Sequence, residues 1–264
     1  MLKDRYEFDD LVEIMAFLRS SEGCPWDREQ THESLKRYLI EETYEVLEAI
    51  DLDDRDKLCE ELGDLLLQIL FHARIAEEEG RFDINDVITG ISRKMILRHT
   101  HVFGDDRAET ADDVVDNWEK IKKKEKGVKD QTGVLKSVPA NLPALMRSFK
   151  VQEKAAQVGF DWDRVEDAFK KVEEEISELR DVYMSKNVER ITDEMGDAIF
   201  ALVNVSRFLK IQPELALTGT INKFIQRFEY IEQQSKKEGK KLEEMTLSEM
   251  DELWEQAKTH ISGR

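Results

Sequence analysis

Two acidic stretches of the chain carry carboxylates at the spacing that a metal site needs. The first, residues 41–64, reads EETYEVLEAIDLDDRDKLCEELGD, and the second, residues 174–197, reads EEISELRDVYMSKNVERITDEMGD. Each contains two pairs of carboxylates three residues apart, and such pairs share one face of a helix. If each stretch folds as an antiparallel helical hairpin, its two pairs face each other. The predicted quartets are Glu42, Glu45, Glu61 and Asp64 in the first stretch, and Glu175, Glu178, Glu194 and Asp197 in the second.

Four carboxylates in one place repel one another unless cations lie between them or they are protonated. A quartet with no nearby His suits a hard cation with oxygen ligands, so the spacing predicts Mg²⁺, with Mn²⁺ as an alternative. Ferritin-like di-iron bundles use Glu-x-x-His pairs, and neither stretch contains one. A solvated acidic face is the competing interpretation. The repetition argues against it, as does Glu42, which falls inside the apolar stripe of its own helix.

The elements that must position these groups are helices. Apolar periodicity predicts helices over residues 7–20, 32–50, 55–79, 83–98 and 111–124 in the first half of the chain, with a loop at SEGCPWDREQT. Facing positions in the two hairpins place the centres of their turns at Asp53 and Lys186. Charged residues make up 37% of the chain, with only 12 Gly and 4 Pro, which favours long helices over a turn-rich β protein.

The second half of the 264-residue chain repeats the first. Trp26-Asp27-Arg28 recurs at an offset of 136 residues, as does Trp118-Glu119, whereas the acidic hairpins recur at an offset of 133. Repeats at this density predict two copies of one helical domain. We therefore expect an all-α tandem repeat with domains at residues 1–124 and 142–264, joined by a charged linker at 125–141.

Composition excludes several classes of protein. The net charge of −18 argues against general nucleic-acid binding, which needs a basic surface. There is no apolar signal core in MLKDRYEFDD and no run long enough to span a membrane. Cys24 and Cys59 form no metal-ligand spacing or disulfide framework, so we expect a cytoplasmic protein. No P-loop or dinucleotide fingerprint is present either.

Several cations could hold phosphate beside a metal in the second half. Lys171 and Arg190 each lie one turn before a quartet member, and Lys223 and Arg227 share a helix face. Trp254 could stack on a base or simply pack. The two halves differ here, because Tyr38 occupies the position that corresponds to Lys171. The first half thus keeps its quartet and loses a candidate phosphate cation, which predicts a weaker or regulatory site.

The chain resembles the MazG-type nucleoside triphosphate pyrophosphohydrolases, within the all-α NTP pyrophosphatases that include the dimeric dUTPases. The resemblance covers nearly the whole chain and is carried by E-E-x-x-E followed by E-x-x-D together with GCPWD, EETYEVLEAI, EELGDLLLQILFHARIAEEEGRF, RHTHVFGD, NWEKIKKKEK, LPALMRSFKVQEKAAQVGFDW and INKFIQRFEYIE. It implies Mg²⁺-dependent hydrolysis of (deoxy)nucleoside triphosphates to monophosphate and pyrophosphate, with broad base tolerance. It also implies a role in nucleotide-pool cleaning or stress.

The resemblance further implies a homodimer, in which like halves form four-helix-bundle cores, and activity in the C-terminal domain. It assigns the metal ligands to the second quartet and leaves the first as a second metal site. Glu174 is the candidate general base, and Lys171 and Arg190 would stabilise charge on the phosphate oxygens. The nucleotide contacts that it implies are Lys171, Arg190, Ile191, Thr192, Asp193, Lys223, Arg227 and Trp254.

Two other functions remain open from the residues alone. One is a helical adaptor that binds nucleotide or a protein partner without turnover. The other is a di-metal redox bundle. Release of pyrophosphate, binding without turnover, and a coloured iron-loaded protein would distinguish the enzyme, the adaptor and the redox bundle.

Overall fold

The computed structural model describes residues 2–104, 106–108, 110, 113–114, 117–118, 121 and 131–261. Within these residues the chain forms helices and no β-strand, as predicted for an all-α protein. The chain divides into two compact units, Met1–Glu125 and Lys126–Arg264. Each unit is built around one acidic helical hairpin.

In the first unit, the hairpin packs against the N-terminal helix. Helices α3 and α4 form the hairpin, α1 packs against α4, and α5 follows α4 and contacts it. Its buried apolar core comprises Met15, Leu35, Leu70, Phe71 and Ile75. The helices are α1 (Phe8–Leu18), α2 (Pro25–Glu29), α3 (Lys36–Asp51), α4 (Arg55–Glu78), α5 (Ile84–Arg98) and α6 (Thr100–Phe103).

The second unit has a similar order of helices. Helices α9 and α10 form the hairpin, α8 packs against α10 and α11, and α12 packs against α11. A short 3₁₀ helix, Leu242–Glu244, precedes α12. The helices are α7 (Gln131–Lys136), α8 (Ala144–Ala156), α9 (Val165–Val182), α10 (Val188–Phe208), α11 (Pro213–Lys237) and α12 (Leu247–Ile261).

Both hairpins turn at the residues that the facing positions predicted. Asp53 has φ 51° and Lys186 has φ 58°, the left-handed conformation in which a helix commonly ends. The next residue then caps the second helix of each hairpin. The Asp54 carboxylate accepts the Lys57 N–H, and the Asn187 side chain accepts the Arg190 N–H. The repeat therefore extends from the sequence to the geometry of the turn.

The predicted helix boundaries differ from the structure near the first tryptophan. Part of the predicted loop forms the short helix Pro25–Glu29, which Pro initiates because it needs no hydrogen-bond acceptor at that position. The next helix begins at Lys36 rather than near residue 32, because Thr31–Leu35 form a turn in which Thr31 Oγ1 accepts the Ser34 N–H.

Two other predicted features fall in the middle of the chain. Most of the helix predicted at 111–124 lies outside the described residues. The short helix Gln131–Lys136 forms within the stretch predicted as a linker. Among the described residues, every helix is too short or too polar to cross a membrane.

Candidate metal and nucleotide site

The hairpin of the second unit brings three of its four predicted carboxylates together. Oxygen atoms of Glu175, Glu194 and Asp197 lie within 4.8 Å of one another, and Glu175 is only 6% exposed. Glu178 lies outside this trio. It is close enough to interact with it, because loss of hydration and then the charges of Glu175 and Glu194 raise the pKa of Glu178.

The hairpin of the first unit gathers a different trio from the equivalent positions. Glu42, Glu45 and Glu61 have oxygen atoms within the same 4.8 Å span, and Asp64 lies outside it. Burial is the largest cause that raises the pKa of Glu42, followed by the charge of Asp64. Burial and then Glu45 raise the pKa of Glu61. In each unit, carboxylates that repel one another thus lie close together in a partly buried position.

These trios fit a hard divalent cation. Carboxylates whose ionisation is opposed by burial and by like charges are stabilised when a cation binds between them. Every donor in each trio is a carboxylate oxygen, the ligand type that Mg²⁺, Mn²⁺ and Ca²⁺ prefer. Among the described residues, no His or Cys belongs to either trio, so the donor set gives no support to di-iron chemistry.

Lys171 balances part of the negative charge in the second unit. Its Nζ lies 2.6 Å from Glu175 Oε1 and 2.7 Å from Glu174 Oε1. Hydrogen bonds to Glu174 and then Glu175 raise the pKa of Lys171, so the amine stays protonated. Glu174 is exposed and held by this lysine, and it does not belong to the carboxylate trio. The structure therefore places one cation directly on the most buried carboxylate.

The stretch from Arg190 to Asp193 lies in the first turns of α10, immediately before Glu194. Arg190, Thr192 and Asp193 are exposed, and the Thr192 hydroxyl donates to the Val188 carbonyl at 2.8 Å. The first unit has Lys57 at the position of Arg190, and this lysine pairs with Glu48. Sequence reasoning missed Lys57, although the 133-residue offset of the hairpins identifies it.

The other predicted nucleotide contacts form a separate cluster on α11 and α12. The Arg227 guanidinium lies 5.3 Å from the centre of the Trp254 ring, and Phe224 packs on the same ring at 5.0 Å. In the first unit, Arg98 lies over Trp118 at 6.0 Å, so the contact is repeated. Within the described parts of the chain, no hydrogen bond or ion pair joins Lys223 or Arg227 to the carboxylates.

A cavity of about 540 Å³ opens beside the carboxylates of the second unit. Lys171, Glu175 and Asp197 line it on the side of the carboxylates, and the rest of its wall is mostly apolar, with a few polar and charged side chains. A volume of this size is typical of small-molecule sites. The sequence pattern identifies Trp162 only as part of the internal repeat, and it does not identify the other residues of this cavity wall outside the carboxylate site. The wall includes Gln152, Ala155, Asp161, Trp162, Phe200, Asn204 and Arg207.

Hydrogen bonds hold the polar wall of this cavity in place. Arg207 pairs with Asp161 at 2.5 Å and donates from Nε to Asn204 Oδ1 at 2.9 Å. Gln152 donates from Nε2 to the Phe200 carbonyl at 2.8 Å, while its Oε1 is buried without a hydrogen-bond donor. These polar residues interrupt apolar helix faces, which is the signal that a closer reading of the sequence could have used.

The corresponding positions in the first unit hold a cluster of aromatic side chains. Trp26, the counterpart of Trp162, makes edge contacts with Tyr38 at 6.1 Å and with Phe71 at 6.4 Å. The Arg19 guanidinium lies 5.9 Å from the Phe71 ring. At the repeat offsets, these three partners correspond to Lys171, Asn204 and Ala155. A hollow of about 460 Å³ does lie beside Trp26 and Tyr38, and no carboxylate of the quartet lines it.

Comparison with known proteins identifies the same family over nearly the whole chain. A profile of the MazG nucleotide pyrophosphohydrolase domain matches residues 30–103 and 164–231. The chain is 48% identical to the nucleoside triphosphate pyrophosphohydrolase/pyrophosphatase MazG of Thermotoga maritima, over 95% of both chains. It is 44% identical to the nucleoside triphosphate pyrophosphohydrolase of Escherichia coli, over 96% of this chain and 97% of that protein. It is also 53% identical to an uncharacterized Bacillus subtilis protein, YabN, over 96% of this chain and 52% of that protein.

Proposed function

Because the chain belongs to the MazG nucleotide pyrophosphohydrolase family, we propose that it hydrolyses nucleoside triphosphates to nucleoside monophosphates and pyrophosphate. The observation that carries this proposal is the juxtaposition in the second unit. A carboxylate trio, a protonated lysine and an open cavity of about 540 Å³ adjoin one another there. A triphosphate beside the carboxylates and a nucleoside in the cavity would fit this arrangement, so we place the activity in the C-terminal domain.

Glu175, Glu194 and Asp197 would hold Mg²⁺ or Mn²⁺, and Glu178, which interacts with Glu175 and Glu194, would be the fourth ligand. When bound, such an ion supplies charge neutralisation for phosphate oxygens and a water of lowered pKa. Glu42, Glu45 and Glu61 would bind a second ion in the first unit, with Asp64 beside them. The aromatic contacts of Trp26 with Tyr38 and Phe71, at the positions where the second unit has its cavity, support a site that binds metal without turning over nucleotide.

Lys171 and Arg190 would bind the phosphate oxygens at the carboxylate end of the cavity. Lys171 pairs with Glu174 and Glu175, and its protonated amine would also donate to oxygens of the triphosphate. Glu174, exposed at the edge of the site, would act as the proton acceptor. Cleavage between the α and β phosphates needs this charge stabilisation, since negative charge develops on the leaving pyrophosphate.

Lys223, Arg227 and Trp254 stay predictions as nucleotide contacts, together with Ile191, Thr192 and Asp193 beside Arg190. The Arg227 Nε is buried and no acceptor among the described residues reaches it, which supports a role in holding an anion. The contacts of Trp254 with Phe224 and Arg227 support a packing role for the indole ring instead. We propose that Arg227 binds phosphate and that Trp254 supports it.

The proposed enzyme is a homodimer. On α10 of the second unit, Met195, Ile199 and Leu202 are 44–51% exposed along one helix face, and α11 exposes Ile221 and Phe224. Soluble helices seldom leave such stripes uncovered, and a second copy would bury them as a four-helix bundle. A monomeric mass by light scattering at micromolar protein would contradict this assembly.

The direct test is a panel of all ribo- and deoxynucleoside triphosphates with Mg²⁺ or Mn²⁺, with the products identified. We expect monophosphate and pyrophosphate from several bases, as a role in pool cleaning or stress requires. Excess EDTA should abolish turnover, and Mg²⁺ should restore it. Nucleotide binding without turnover would support the adaptor instead, and phosphate release in place of pyrophosphate would contradict the proposed bond cleavage.

A further inference from the structure

The cavity of the second unit contains hydrogen-bonding groups that neither the family match nor the carboxylate trio explains. Gln152 and Asn204 are 8% and 7% exposed, which is unusual for amide side chains in helices that pack against each other. At the repeat offsets they correspond to Ala16 and Phe71 in the first unit. The unit with the open cavity therefore carries two buried amides where the first unit carries apolar residues.

The two amides are fixed in orientation. Gln152 Nε2 donates to the Phe200 carbonyl, which leaves Oε1 as its remaining polar atom. Asn204 Oδ1 accepts from Arg207 Nε, which leaves its NH₂ group as the donor. Asp161 pairs with Arg207 and fixes its position, and Arg207 in turn fixes the orientation of Asn204. Phe200 and Asn204 lie one helical turn apart, so both amides approach the same stretch of α10.

Both amides line the cavity, and each keeps one polar group after its bond: Gln152 an acceptor and Asn204 a donor. Gln152 Oε1 is the unsatisfied member, since no donor reaches it within the described chain and it is buried. A buried acceptor without a partner is unfavourable, and a ligand that brings an N–H group to it removes that cost. A nucleobase is the part of the proposed substrate that can enter the cavity while the phosphates stay beside Lys171 and Glu175.

We propose that Gln152 is a specificity-determining residue whose Oε1 accepts a hydrogen from the exocyclic amine of the base. Asn204 donates to the adjacent ring nitrogen. Adenine and cytosine present an amine beside an acceptor nitrogen. Hypoxanthine and uracil place a carbonyl oxygen where the amine would be, so two acceptors would face each other. This inference rests on the proposed function, and it predicts a preference among bases within a generally tolerant enzyme.

The test compares kcat/KM for two pairs of substrates that differ at this group, ATP with ITP and CTP with UTP, under Mg²⁺. For the wild-type enzyme we expect the amine-bearing member of each pair to be favoured on the order of 10-fold. Gln152→Leu, which is similar in volume and lacks the acceptor, should bring both ratios close to one. Gln152→Met, a second substitution of similar volume that lacks the amide acceptor, should have the same effect, which separates loss of the acceptor from a packing defect specific to leucine.

Gln68→Leu is the matched control, because Gln68 is also buried with an unpartnered Oε1 but lies in the first unit. It should leave both ratios unchanged. Wild-type ratios near one, or equal losses for all four nucleotides in Gln152→Leu, would overturn the role of Gln152 and leave the proposed hydrolysis intact. Failure of the wild-type enzyme to hydrolyse any of the four would overturn the proposed function and this inference together.

Discussion

The first and second units present the same acidic hairpin to different surroundings. Both turn at a left-handed residue, both cap the following helix with a polar side chain, and both bring three carboxylates within 4.8 Å. Beside the first trio, Trp26 packs against Tyr38 and Phe71. Beside the second, a cavity of about 540 Å³ adjoins Lys171. The units share the means to hold a cation and differ in the space for a substrate.

The carboxylate motif alone therefore does not distinguish the two units. The carboxylates are present in both, whereas the residues that open the cavity lie outside the motif on α8 and α10. A large aromatic side chain at position 71 becomes an amide at position 204, and Arg19 becomes Ala155. The side chains beside the hairpin thus differ between the units, whereas the hairpin itself has the same fold in both.

The largest difference between the units should follow from one carboxylate in each. Glu175→Gln removes the charge of the most buried member of the second trio, and we expect kcat to fall about 1000-fold, as for loss of a metal ligand. Glu42→Gln, at the equivalent position, should leave kcat unchanged. Steady-state pyrophosphate release by the two purified variants checks this. Inactivation by Glu42→Gln alone would reverse the assignment, and equal partial losses would make both units active.

A smaller loss should follow when the second unit is made to resemble the first at its cation. Lys171→Tyr copies Tyr38 and removes the amine that contacts Glu174 and Glu175. A charge-assisted contact to the transition state is worth about 2–4 kcal/mol, which corresponds to roughly 30- to 1000-fold in kcat. Circular dichroism should show that the variant keeps its helices.

The reciprocal change, Tyr38→Lys, tests whether the cation is sufficient. We expect no gain of turnover in a Glu175→Gln background, because Phe71 and Trp26 still pack at the positions where the second unit has its cavity. Measurable activity in that double variant would show that the lysine, rather than the aromatic side chains, is what distinguishes the first unit from the second.

A substitution that only reduces the cavity should have a still smaller effect, and this effect should be on KM rather than on kcat. Asn204→Phe copies Phe71 and places a ring in the cavity without touching the carboxylates. We expect KM for nucleoside triphosphates to rise about 10-fold, because the base loses room while the phosphate contacts remain. Phe71→Leu in the first unit is the control and should leave KM unchanged. A fall in kcat at constant KM would mean that the cavity does not receive the base.

Sequence reasoning reached the parts of the molecule that depend on local periodicity. The hairpins, their turns at Asp53 and Lys186 and the shared faces of the carboxylates follow from helical spacing. It did not reach which three of each four carboxylates meet. Side-chain conformation decides that: Asp64 lies outside its trio while its counterpart Asp197 lies inside.

The cavity also lay beyond sequence reasoning, because it depends on contacts between distant segments. Gln152 on α8 donates to the Phe200 carbonyl on α10, and Asp161 reaches Arg207 across the same interface. No periodicity within one helix predicts such a contact. The repeat offsets could have drawn attention to Phe71 and Asn204, since a buried aromatic residue and an amide at equivalent positions indicate a difference in the core.

A last contrast between the units lies away from both trios. In the first unit His72 and His32 face each other with Nδ1 atoms 2.7 Å apart, whereas the second unit has the buried Val205 at the position of His72. The rings are nearly parallel, with centres 5.0 Å apart. Because the nitrogens are much closer than the ring centres, the rings meet nitrogen to nitrogen. One imidazole therefore donates its Nδ1–H to the Nδ1 of the other. Protonation of that accepting nitrogen would place two N–H groups against each other.

This pair should make the first unit sensitive to acid. Burial and then the neighbouring His32 lower the pKa of His72 below its ordinary value of 6.5, so the unfolded chain binds this proton more readily than the folded one. The stability that the pair contributes is therefore present above about pH 6.5 and decreases as the pH falls below it. His72→Val, which copies Val205, should remove this component. Thermal unfolding between pH 5 and 7.5 in EDTA should show a steeper loss of Tm on acidification for the wild type than for His72→Val, and parallel curves would mean that the pair does not titrate.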